Sequence, residues 1–154
     1  YGPDIMILGT ASEPDVYEVK WAQPTKSTIA AILSQTAEYL GYALLRQLEL
    51  SIEPPAFRLL ENLTLASLTE KVLDTIALEK RRGTPIRSVS ITSFKDPEAA
   101  NFEELVVKVY LDCDSDTALR IWDNLSRNIE DLKTDLSSHE IKVLDERLGL
   151  DCEW

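Results

Sequence analysis

The chain has 154 residues and a formal net charge of −11; 44% of it is hydrophobic, with only 5 Gly, 7 Pro and 2 Cys. That length suits one domain with a core that needs neither disulfide nor metal. The composition excludes collagenous, disulfide-framework and low-complexity classes, and the surplus of acid opposes a phosphate backbone, so nucleic acid is not an expected partner.

Two short β-like runs lie in residues 1–26, among Pro3, Pro14 and Pro24. Asp4 to Leu8 is a compact apolar run, and Tyr17, Val19 and Trp21 alternate on one face. Edge strands and an arm that packs on a partner are the two readings of this segment. Tyr1 in place of Met makes the chain read as a processed or excised piece.

Ser27 opens a long helical pattern. Ile29, Ile32, Leu33, Ala37, Leu40, Leu44 and Leu48 make one apolar stripe, and Ala37 with Gly41 gives a small-residue spacing for close backbone contact. Gln35, Glu38, Arg46, Gln47 and Glu49 interrupt the stretch too often for a bilayer span, so no membrane is expected. After Pro54-Pro55 a short helix fits Ala56 to Glu61.

Ser67-Leu-Thr-Glu70 has the spacing of a capping box and predicts a helix start there. Leu68, Val72, Leu73 and Ile76 form its buried face, and Lys80-Arg81-Arg82-Gly83 its end. Residues 86–114 predict two antiparallel strands, with Val89 and Ile91 on one face of the first. In the second, Leu105, Val107, Val109, Leu111 and Cys113 alternate with Val106, Lys108, Tyr110 and Asp112. A second long helix follows from Ser115, its stripe running from Ala118 through Ile121, Trp122, Leu125 and Ile129 to Leu132 and Leu136. Ser137-Ser138 interrupts it. In the tail, Ile141 and Val143 alternate as a strand whereas Ile141, Leu144 and Leu148 suit a helix; a strand over about 141–146 is the expectation, because it would complete a small sheet.

Asp112-Cys-Asp-Ser-Asp116 is the one constellation that invites a chemical reading. Three carboxylates at alternate positions between a strand and a helix offer the oxygen ligands that Mg²⁺ or Ca²⁺ prefers, and with Mg²⁺ they would suit an enzyme acting on a phosphorylated substrate. Position six of a calcium loop is Thr117 rather than Gly, and neither GxxxxGK[ST] nor GxGxxG occurs. The competing reading is a helix N-terminus, with Asp114 or Ser115 as cap and Asp116 at the positive end of the dipole. His139 beside Ser137 and Ser138 reads as a surface turn rather than a relay. Cys113 and Cys152, each flanked by acids, read as free, unreactive thiols of a reducing cytoplasm.

The expected architecture is α+β: an arm or edge strands over 1–26, then a single domain over 27–154. In it, long amphipathic helices pack on an antiparallel sheet, and the C-terminal half follows a ferredoxin-like β-β-α-β order. The expected function is a non-enzymatic cytoplasmic binding or assembly module that forms homo-oligomers and needs no cofactor, with a basic protein as a related partner class. The alternative is the divalent-metal enzyme at Asp112, Asp114 and Asp116.

Overall fold

A computed structural model describes residues 48–154. The arm over 1–26, the helical pattern from Ser27, the Ala37/Gly41 pair and Trp21 lie outside the described residues. The elements in chain order are β1 (Leu50–Ile52), α1 (Pro54–Leu60), α2 (Leu63–Arg81), β2 (Ile86–Lys95), β3 (Glu103–Leu111), α3 (Ser115–Asp131), a 3-10 turn (Leu132–Asp135), α4 (Ser138–Arg147) and β4 (Leu148–Glu153). Together they form an α+β fold.

The four strands make one sheet in the order β1-β2-β3-β4. The central pair is the expected antiparallel hairpin, with Val89 opposite Val109 and Ile91 opposite Val107. Both outer pairs are parallel, so the sheet is mixed rather than antiparallel throughout. β3 and β4 are direct neighbours, with Val107 beside Leu150 and Val109 beside Cys152. A ferredoxin-like split βαβ separates the two strands that a helix joins; here the α3–α4 crossover joins adjacent ones.

Alternation in β3 puts Leu105, Val107, Val109 and Leu111 on one face, all buried, with Val89 and Ile91 of β2 beside them. Leu65, Leu68, Val72, Leu73 and Ile76 of α2, Ala118 and Leu125 of α3, and Leu144 of α4 join the same core. Ile121, Trp122 and Ile129 pack against its edge, so the expected stripe of α3 is the one that meets the sheet. Among the described residues no helix is long and apolar enough to cross a membrane.

The ends of the elements show where local signals compete. α2 starts four residues before Ser67: Asn62 is its N-cap, accepting a hydrogen bond from the Leu65 amide at 3.0 Å. Starting there adds a turn that buries Leu65, while Ser67 stays exposed in the helix interior. Its C-terminus is as expected. Gly83 sits at φ 102° and donates to the Lys80 carbonyl at 3.0 Å, and the Thr84 amide reaches the Glu79 carbonyl at 3.1 Å. Those two bonds are a Schellman motif, which favours glycine at the left-handed position.

The strand expected over 141–146 is instead part of α4. Ser137-Ser-His-Glu140 forms a full capping box: the Glu140 amide donates to Ser137 Oγ at 3.2 Å, and the Ser137 amide donates to Glu140 Oε1 at 2.9 Å. Two reciprocal bonds at the helix start outweigh a two-residue β-branched alternation, and the strand follows at Leu148. β3 ends at Leu111, so Cys113 lies just past it, half-buried, rather than on the strand's inward face.

Candidate functional site

The acidic run occupies the turn between β3 and α3. Asp114 is the N-cap of α3, and both its oxygens are engaged by Thr117: Oδ1 accepts from the amide and Oδ2 from the hydroxyl, each at 3.0 Å. Those bonds, the amide first, hold its carboxyl below the ordinary carboxylate range. Asp116 stands in the first turn of α3, where a negative charge favours the helix dipole. Asp112 is exposed, and its backbone amide donates to the Pro85 carbonyl at 2.9 Å. Among the described residues no group of three or more His, Cys, Asp or Glu is gathered as a metal site.

The two thiols are free. Burial, then the neighbouring Asp151 and Cys113, pushes the Cys152 thiol up to about 12. Burial, reinforced by Asp114 and Asp112, raises Cys113 as well. Neither forms a thiolate readily, which agrees with the sequence expectation. His139 is exposed in the first turn of α4, beyond the Ser137 cap.

A cluster the sequence reading missed joins α2 to α3. Glu79 is 7% exposed. Its Oε1 accepts from Thr84 Oγ1 at 3.2 Å and Asn124 Nδ2 at 3.3 Å; its Oε2 accepts from Arg82 Nη1 at 3.1 Å and Asn128 Nδ2 at 3.2 Å. Four donors on one carboxylate satisfy the lone pairs that burial would otherwise leave empty. A signal was present: Glu79 continues the Leu68–Val72–Ile76 stripe, so a charge falls on the buried face.

The second feature is the face of the sheet turned away from the described helices. Read across the strands, one row runs Thr92–Val106–Gly149, the next Ser90–Lys108–Asp151, and the last Ser88–Tyr110–Glu153. Phe94 stands opposite Glu104 at the hairpin end, 48% exposed. Gly149 contributes no side chain, and Glu104 reaches over it: a Cβ built there would lie 3.2 Å from the Glu104 carboxylate. Beside it lies a hollow of about 480 Å³ bordered by Thr92, Phe94, Glu104, Val106, Lys108 and Asp151. Lys108 Nζ is paired with Glu153 at 3.1 Å, and that hydrogen bond is the main cause of its raised pKa. Arg87 lies over the Tyr110 ring, 5.9 Å from its centroid. The face thus has Phe94 and Val106 at one end and Tyr110 at the other, with the Lys108–Asp151 row between them.

No family model matches the chain, and neither a curated protein nor a solved structure does.

Proposed function

We propose that the protein is a non-enzymatic binding or assembly module that self-associates. The observation that supports this most directly is the sheet face turned away from the described helices: Phe94, 48% exposed, stands with Val106 beside a hollow, with Lys108, Glu104 and Asp151 around it. Aromatic anchors within a polar surround are the usual make-up of a protein contact surface. The acids of the β3–α3 turn fit the same reading, since Asp114 caps a helix and Asp116 sits at its positive end. Two free thiols suit a reducing cytoplasm.

Light scattering on the full chain over a wide concentration range tests the proposal. A mass that rises from one to two or more chains supports it. A single-chain mass throughout rejects self-association. Binding to a basic protein that weakens steeply with salt would then favour the charge-steered partner implied by the net charge of −11.

A further inference from the structure

We draw no further inference here: the strongest candidate, the hollow on the outer face of the sheet between Phe94, Glu104 and Asp151, carries nothing because nothing in the structure shows what covers that face.

Discussion

Glu79 Oε2 and Asn128 Nδ2 meet at 3.2 Å across 49 positions of sequence. The contact belongs to the carboxylate that also takes Asn124, Thr84 and Arg82, and it ties the C-terminal end of α2 to the middle of α3. A buried acid with four donors holds two helices in one relation, because any slip of α3 leaves amides and carboxylate unpaired together. The Arg82 guanidinium is mostly exposed and adds little through charge; Thr84 and the two asparagines are the part-buried partners.

Replacing Glu79 by Gln keeps the shape but turns one acceptor oxygen into a donor that faces other donors. The expected cost is about 2 kcal/mol, read as a lower urea midpoint at unchanged slope. Asn124→Ala and Asn128→Ala should each cost about 1 kcal/mol. Double-mutant cycles with Glu79 should show coupling, since the residues share one network. Additive effects would mean that the carboxylate is solvated in solution.

The start of α2 gives a sharper contrast. Asn62 caps it, so Asn62→Ala should cost about 1 kcal/mol. Ser67 is exposed inside the helix, where Ala is the better helix former, so Ser67→Ala should leave stability unchanged or slightly higher. If Ser67→Ala proved the costly substitution, the helix would begin after Ser67 rather than after Asn62.

That contrast shows what the sequence made legible. The face of β3 could be read because Leu105, Val107, Val109 and Leu111 alternate and obey one local period. The end of α2 could be read because Gly83 has one conformational use there. The start could not, because Asn62 and Ser67 are both good caps and the choice depends on burying Leu65 in the core. β1 is three residues long and exists by pairing with β2, a non-local event with no pattern of its own. In the tail, Ile141 and Val143 imitated a strand while the capping box lay four residues upstream in plain view. The outward face was half legible: the outward residues of β3 follow from its alternation, but Gly149 comes to lie beside Val106 only through the parallel pairing of β4.

The acidic turn separates cap from cation site. Asp114→Ala removes both acceptors of Thr117 and should lower the melting temperature by a few degrees, whether or not Mg²⁺ or Ca²⁺ is present. A lowered folded-state pKa means that the bonds of Asp114 stabilise the fold above its ordinary value of 3.8, and that this contribution is lost as pH falls through the lowered value. Acid unfolding of Asp114→Ala should therefore be flatter in that range. A metal-dependent rise in the parent's melting midpoint that Asp114→Ala abolishes would return Asp112, Asp114 and Asp116 to the role of ligands.

Cys152 provides a probe at the opposite end of the pH scale. Its thiol is buried on β4 beside Val109, and its pKa is pushed up to about 12 from 9.0, first by burial and then by Asp151 and Cys113. In the unfolded chain the thiol ionises near its ordinary value, whereas in the fold it stays protonated. The stabilisation is thus complete below about pH 9 and is lost as pH rises through about 12. Cys152→Ala should flatten the fall of stability across that window relative to the parent. At neutral pH, a thiol-specific reagent should modify Cys152 at the rate at which the protein unfolds. Cys113, half-buried in the turn, should react sooner. Rapid modification of Cys152 in the folded protein would show that β4 opens locally from the edge of the sheet, and the edge that closes the Lys108–Asp151 row would then be a labile one.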